Sequence, residues 1–293
     1  MTIHSADPVV VGVDGSATAL DAVRVAAREA AFRHRPLRVV HAFIWPLTRA
    51  PLTPAPGAPA GAGLRNQAER CVAEAVAEAG KVAPDVPVTG VVVDGAPAAV
   101  LVAESRRATL MVLGHRGLGG FAGLLIGSVT LQVSARAHCP VLVTRGEARA
   151  DGPVVVGVDG SAHSGVAVGF AYEEAARRGA PLVVVHAWLY PTPIGPGDVV
   201  PLVYDPEALA EESRRILAEA VAGWSERYPD VEVRQRSVRG APARVLVEQS
   251  ASAQLVVVGA HGRGALAGLL LGSVSHAVLH HAHAPLVIAR HAG

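Results

Sequence analysis

The chain has 293 residues, a length that suits two domains of ordinary size. Hydrophobic residues make up 51% of it and charged residues 17%, and the formal net charge is +1. This balance excludes a strong electrostatic attraction for nucleic acid or for an acidic membrane surface, and no apolar run is long enough to cross a bilayer.

The first half of the sequence alternates strand and helix patterns. An unbroken apolar run at 9–13 predicts a strand that is buried on both faces, and the periodicity of 17–34 predicts a helix. The other predicted elements are strands at 36–43, 86–93, 109–113 and 140–144, and helices at 64–82, 96–107 and 129–137. Such alternation specifies an α/β fold, a parallel sheet with helices on both faces.

The second half repeats the first at a constant offset. Asp14 recurs as Asp159 and Gly117 as Gly262, each 145 residues later. A constant offset indicates a tandem duplication. We therefore expect two domains, at 1–147 and 152–293. Each is expected to have a doubly wound five-stranded parallel sheet, for which we assume the strand order 3-2-1-4-5.

A glycine-rich loop follows the fourth predicted strand of each half and leads into a helix. In the first half it contains Gly114 and Gly117 and ends at Gly127 and Ser128. The matching residues of the second half are Gly259, Gly262, Gly272 and Ser273. Glycines let the backbone approach a ligand closely, and the N–H groups at a helix N-terminus favour an anion. Two copies in the same context predict a phosphate-binding loop in each half.

A carboxylate ends the first strand of each half, at Asp14 and Asp159. In the order 3-2-1-4-5 the winding reverses between strands 1 and 4, and ligands bind in that crevice. The carboxylate could accept from a ribose hydroxyl, hold Mg²⁺ that bridges to phosphates, or cap the next helix through an Asp-Gly-Ser turn. The Ser128 hydroxyl could likewise donate to a phosphate or cap its own helix.

The two loops differ in their charged residues. Arg116 lies inside the first loop and could neutralise phosphate charge. The second loop has His261 at that position and Arg263 two residues later. Arg263 is a candidate for phosphate contact, with a solvated loop charge as the alternative.

No catalytic residue and no metal site is assigned. The lysine-containing P-loop, the dinucleotide fingerprint after strand 1 and the Gly-x-Ser-x-Gly elbow are all missing from the sequence. A slow ATPase would need a general base, for which His115 and His261 are the best candidates. His276 and His280 are one helical turn apart, but no carboxylate or cysteine accompanies them, so we expect a polar surface rather than a metal site.

The paired loops, Gly114-x2-Gly117-x9-Gly127-Ser128 and its second copy, resemble the ATP-binding signature of the universal stress protein family. The Val-Val-Gly-Val-Asp-Gly-Ser openings and the Val-Val-His-Ala strands at His41 and His186 agree with it. The resemblance covers nearly the whole chain, as a tandem two-domain member of the actinobacterial type. It implies a stress-response regulator that binds ATP, two molecules per chain with Mg²⁺, rather than a dedicated enzyme.

The resemblance and the loop pattern together give the expected site residues. In the family the strand-1 aspartate lies by the nucleotide, the residue after the strand-2 histidine pairs with adenine, and the last strand-4 residue lines the base pocket. The first site is expected to contain Gly12, Asp14, Ala42, Leu113, Gly114, Arg116, Gly117, Gly127, Ser128 and Val129. The second is expected to contain Gly157, Asp159, Ala187, Val258, Gly259, Gly262, Arg263, Gly272, Ser273 and Val274.

Partners and location follow from the same resemblance. It implies a homodimer of tandem chains, pairing of domains through the last strands at 141–143 and 286–288, and a regulatory protein partner. The N-terminus lacks an apolar signal core, which favours the cytoplasm. The long loops 44–63 and 189–206 are expected to be lids, partner surfaces or mobile surface. Two other functions stay open: a slow ATPase or phosphotransfer enzyme, and a structural dimer that does not use nucleotide.

Overall fold

The computed structural model describes residues 7–44, 63–118, 125–146, 148–189, 205–263 and 271–290. The predicted loops 44–63 and 189–206 lie almost entirely outside these residues, as does the middle of both glycine-rich loops. The chain divides into two compact units between Arg145 and Gly146. The part up to Arg145 is called unit one here, and Gly146–Ala289 is unit two.

Unit one alternates strands and helices as predicted. Its described elements are β1 (Val9–Val13), α1 (Ala17–Arg33), β2 (Leu37–Phe43), α2 (Leu64–Val82), β3 (Val88–Asp94), α3 (Pro97–Glu104), β4 (Leu110–Gly114), α4 (Ser128–Arg136) and β5 (Val141–Thr144). The helix predicted over 96–107 ends early, in a 3-10 turn at Ser105–Arg107. The Ser105 hydroxyl donates to the Val102 carbonyl at 2.7 Å and accepts from the His138 N–H at 2.9 Å, and these bonds stabilise the tighter turn.

Unit two repeats this series with one additional short helix. Its described elements are β6 (Val154–Val158), α5 (Ala162–Arg178), β7 (Leu182–Trp188), α6 (Pro206–Val221), α7 (Trp224–Arg227), β8 (Val233–Arg239), α8 (Pro242–Ser250), β9 (Leu255–Gly259), α9 (Ser273–His281) and β10 (Leu286–Ala289). The break before α7 is at Gly223, whose φ of 75° is accessible mainly to glycine. The corresponding stretch of unit one is part of the single helix α2.

The strand order within each unit is the predicted 3-2-1-4-5. In unit one it is β3-β2-β1-β4-β5, and in unit two the equivalent order is β8-β7-β6-β9-β10. The strand pairs described within the units are parallel; in unit one, Val11 lies opposite both Val39 and Val112. The carboxyl ends of β1 and β4 therefore lie side by side at the point where the winding reverses.

The core consists mainly of valine, leucine and alanine. The residues of β4 are all buried, and so are those of β1 except Gly12, which explains their unbroken apolar sequences. Helix α1 faces the sheet with alanines and Val23, and small side chains let a helix approach a sheet closely. Its first turn is capped by Ser16, whose hydroxyl accepts from the Ala19 N–H at 3.2 Å. This cap places the start of α1 directly above the end of β1.

Candidate functional site

A cavity of about 500 Å³ opens where the winding of unit one reverses. Its volume falls in the range of small-molecule sites. Every residue expected at the first site lies in its lining. The lining also contains residues that were not predicted, namely Val13, Ala19, Val40, Pro97, Leu101, Leu118 and Thr130.

Asp14 connects the end of β1 to the glycine-rich loop. Its Oδ1 accepts from the Ser16 N–H at 3.0 Å, which is the Asp-Gly-Ser turn anticipated from sequence. Its Oδ2 accepts from the Leu118 N–H at 2.8 Å, across 104 residues of sequence. A Cβ at Gly117 would overlap this Oδ2, so glycine is needed where the loop passes the carboxylate. Asp14 thus helps to hold the loop, whatever further contact it makes with a ligand.

The start of α4 forms another wall of the cavity. The N-cap residue is Gly127, which has no side chain to cap the helix, and Ser128 is the first helical residue. The first N–H groups of a helix lack partners within it, and Ser128 and Val129 lie in the cavity lining. Thr130 anchors the helix start, since its hydroxyl donates to the Gly114 carbonyl at 2.7 Å. These groups make a wall suited to an anion.

The opposite wall of the cavity is apolar. It includes Val40, Ala42 and Leu113 from strands, and Pro97 and Leu101 from the beginning of α3. The contribution of α3 was missed in the sequence analysis, although Pro97 and Leu101 recur 145 residues later as Pro242 and Leu246. Repetition at the constant offset was the signal that could have revealed it.

Unit two has the corresponding cavity, with a volume of about 260 Å³. Every residue expected at the second site lies in its lining. The lining also contains His261, which was considered only as a candidate general base, and residues that were not predicted, namely Val158, Ser164, Val185, Pro242, Leu246 and Ser275. The Ser275 hydroxyl donates to the Gly259 carbonyl at 2.6 Å, as Thr130 does to Gly114 in unit one.

The Asp159 carboxylate accepts hydrogen bonds equivalent to those of Asp14 and one additional hydrogen bond. Its Oδ1 accepts from the N–H and the hydroxyl of Ser161, at 3.0 and 2.6 Å, and its Oδ2 accepts from the Arg263 N–H at 2.8 Å. Burial acts to raise the pKa of Asp159, but the hydrogen bonds from Ser161 and Arg263 outweigh it, so the pKa lies below the usual range. The carboxylate is therefore ionised at neutral pH.

The mouths of the two cavities differ at one position of the repeat. Unit one has Leu118, which is 70% exposed. Unit two has Arg263, whose guanidinium lies against Gly160, in the turn after β6. The charge of Arg263 also acts on His186 and Glu212. An arginine side chain therefore covers the Gly160 turn of site two, whereas the side chain nearest to the equivalent Gly15 in site one is that of Cys71.

His115 does not line either cavity. Its Nδ1 lies 3.0 Å from the carbonyl oxygen of Thr144, on β5. Burial, opposed by this hydrogen bond, lowers the pKa of His115 below its usual value. The His115 ring therefore faces β5, whereas His261, the other candidate general base, is in the lining of site two.

Two kinds of feature are absent from the part of the chain that the structure describes. No helix there has the length and hydropathy required to span a bilayer. No group of three or more histidine, cysteine, aspartate or glutamate side chains there is arranged to hold a metal ion.

The two cysteines differ in accessibility, which predicts the outcome of a thiol titration. Cys71 is half-buried near Gly15, and burial, with the charges of Asp14 and Glu74, raises its pKa. Cys139 is buried, and burial raises its pKa to about 12. The thiolate is the reactive form of cysteine. We therefore expect Cys71 to react slowly in the native protein at about pH 7.5, and Cys139 to react only after denaturation. A chromogenic disulfide-exchange reagent measures how many thiols react per chain and how fast. Two rapidly reacting thiols in the native protein would contradict the expected difference between Cys71 and Cys139.

Comparison with known proteins places the chain in a family. The model of the universal stress protein family matches residues 6–145 and again 152–290. A universal stress protein of Mycobacterium tuberculosis is 43% identical over 291 residues, covering 96% of each chain. The crystal structure of a universal stress protein from Archaeoglobus fulgidus has a TM-score of 0.68 at 16% identity, and covers 99% of this chain and 98% of that one. A universal stress protein in complex with cAMP is 30% identical over 48% of this chain and 97% of its own, with a TM-score of 0.36. The chain belongs to the universal stress protein family and contains two of its domains in tandem.

Proposed function

We propose that the chain is a stress-response regulator that binds ATP at two sites, one per unit, and acts through nucleotide-dependent conformation or partner binding. The observation that carries this proposal is the two-sided cavity found in each unit. One wall is apolar, from the ends of strands and the beginning of α3 or α8. The other wall consists of glycine backbone and the N-terminus of a helix. A ligand with a flat apolar base and an anionic tail matches both walls.

The orientation of the ligand follows from the two walls. The adenine would lie at Ala42 and Leu113, where the lining is apolar. The phosphates would lie at Gly114–Gly117 and at the start of α4, with Arg116 supplying positive charge. Asp14 would face the ribose or Mg²⁺ between them. Mg²⁺ is commonly bound by one or two carboxylates together with substrate phosphates. The single carboxylate in the lining, that of Asp14, therefore suits Mg²⁺ that enters the site already bound to ATP.

Site two is proposed to bind in the same orientation, with Ala187 and Val258 at the base and Gly272 and Ser273 at the phosphates. The two domains are proposed to cover the ranges expected from the sequence, 1–147 and 152–293.

We further propose that the protein acts in the cytoplasm as a homodimer of tandem chains with a regulatory protein partner. Size-exclusion chromatography with light scattering tests the dimer; a monomeric mass at micromolar concentration would refute it.

The function is tested by the nucleotide content of the purified protein. The chain is purified without added ligand and denatured, and the released small molecules are identified and quantified. Two moles of ATP per mole of chain are expected, or two sites in a titration with MgATP if the nucleotide is lost during purification. Released ADP with little ATP would instead favour slow hydrolysis. No nucleotide, and no thermal shift on adding MgATP, would refute the proposal.

A further inference from the structure

The two units differ at a pair of positions beside the glycine-rich loops that the repeat makes equivalent. Thr18 and Arg116 of unit one correspond to His163 and His261 of unit two. In unit one, the Thr18 hydroxyl donates to the Arg116 carbonyl at 2.6 Å. In unit two, the His163 and His261 rings meet edge to face, with centroids 5.4 Å apart. Two imidazoles thus replace a hydroxyl and a permanent cation.

His261 is positioned to contact whatever anion the second loop binds. It lines the cavity and is half-buried. Its Cα lies 3.3 Å from the point that a Cβ on Gly272 would occupy, directly beside the start of α9. His261 therefore lies beside the first residues of that helix, Ser273 and Val274, which line the same cavity.

We propose that His261 is a ligand-contacting residue of site two, and that an anionic adenine nucleotide binds there together with a proton taken up by its imidazole. Site one, which has Arg116 at this position, binds without that proton because a guanidinium is already fully charged. The inference rests on the proposed function, since it assigns a residue and a proton to one of its two sites.

The charges around His261 determine how many protons can be taken up. Arg263 and His163 oppose protonation, and because the two imidazoles are close, only one of them can be charged at little cost. Asp159 favours protonation from the end of β6. From further away, Glu212 on α6 and His186 on β7 act on Arg263, and burial together with Arg263 holds the pKa of His186 below its usual value. His186 therefore stays neutral at pH 7.

Site one offers no comparable proton acceptor. His115 is directed to the Thr144 carbonyl and is not in the lining. The remaining loop stretches, 119–124 in the first copy and 264–270 in the second, contain no ionisable side chain. A difference in proton uptake between the sites is therefore expected to come from the position of Arg116 and His261.

The magnitude follows from proton linkage. A pKa that rises by one unit when a ligand binds corresponds to an affinity gain of about tenfold at the pH where the group is charged. We expect the affinity of site two, relative to that of site one, to rise by up to this factor between pH 8 and pH 6.

The test is calorimetric titration with MgATP at pH 7 in two buffers of different ionisation enthalpy. Proteins with a single working site are obtained with Gly117→Ala or Gly262→Ala; Asp14→Asn and Asp159→Asn serve if either glycine variant fails to fold. The Gly117→Ala protein, in which site two works, is expected to take up more protons per nucleotide bound than the Gly262→Ala protein, in which site one works. Titration of the ATP phosphates is common to both and cancels in the difference.

Reciprocal exchange of the two residues completes the test. His261→Arg is expected to abolish the additional uptake, and Arg116→His to create it in site one. His281→Gln, at the opposite end of α9 and exposed, is the matched control and leaves the uptake unchanged. Equal uptake at both sites, or uptake that survives His261→Arg, would overturn the inference and leave the proposed function standing. No MgATP binding by the unsubstituted chain would overturn both.

Discussion

The Gly117→Ala chain is expected to bind one nucleotide instead of two. A Cβ at this position would overlap Asp14 Oδ2, which is held in place by the Leu118 N–H at 2.8 Å. The carboxylate must then move, and the loop loses a hydrogen bond to a charged group, which costs about 1.5–3 kcal/mol. This corresponds to a loss of affinity of roughly 10- to 150-fold at site one. Calorimetric titration with MgATP gives the stoichiometry directly.

Two glycine variants control this experiment. Gly80→Ala introduces the same methyl group near the end of α2, where nothing lies within 4 Å of the new Cβ. It is expected to keep two sites and to stabilise the helix by up to about 1 kcal/mol. Gly262→Ala is the reciprocal change, because a Cβ there would lie 2.5 Å from Asp159 Oδ2. An unchanged stoichiometry in both loop variants would show that the nucleotide binds elsewhere.

Glu174→Gln is expected to produce a large loss of stability in unit two. Glu174 is fully buried on α5 and pairs with Arg177 at 2.9 Å and, more closely, with Arg178. The Arg178 side chain is itself only 10% exposed. Removing the carboxylate takes a negative charge away from a buried guanidinium, and breaking a buried pair in this way costs about 3–5 kcal/mol.

The neighbouring residue provides the control for Glu174. Glu173 pairs with Arg177 at 3.2 Å, but its side chain is 38% exposed. Exposed pairs contribute about 0–1 kcal/mol, so Glu173→Gln is expected to shift the unfolding midpoint little. Urea unfolding followed by tryptophan fluorescence reports on unit two through Trp188 and Trp224. Similar midpoints for the two variants would mean that the buried carboxylate contributes no more than an exposed one.

The sequence predicted most of the secondary structure because its signals are local. The apolar run at Val9–Val13 could only be a strand buried on both faces, and the structure has it there. The Asp-Gly-Ser turn before α1 was also visible in the sequence. The two departures, the 3-10 turn at Ser105–Arg107 and the short helix after Gly223, depend on contacts or backbone angles that periodicity does not report.

The candidate site was predicted in part. The glycines and aspartates could be located because they sit at the carboxyl ends of strands whose neighbours follow from the winding rule. The wall from Pro97 and Leu101 could not be located by the winding rule, since it depends on how α3 packs against β2 and α4. His115 looked like a loop residue facing the ligand, and only its bond to Thr144 shows that it faces β5.

By itself, the sequence determined the tandem repeat, the alternation of strands and helices and the position of both glycine-rich loops. Each of these depends on spacing along the chain, either a constant offset of 145 residues or the alternation of short apolar runs with helices. Only the tertiary structure decided that Asp14 holds the loop at Leu118, that Arg263 lies over Gly160, and that the two cavities differ in volume, about 500 against 260 Å³. Those features arise from side chains that meet across about a hundred residues of sequence, and no periodic pattern encodes which way a side chain turns.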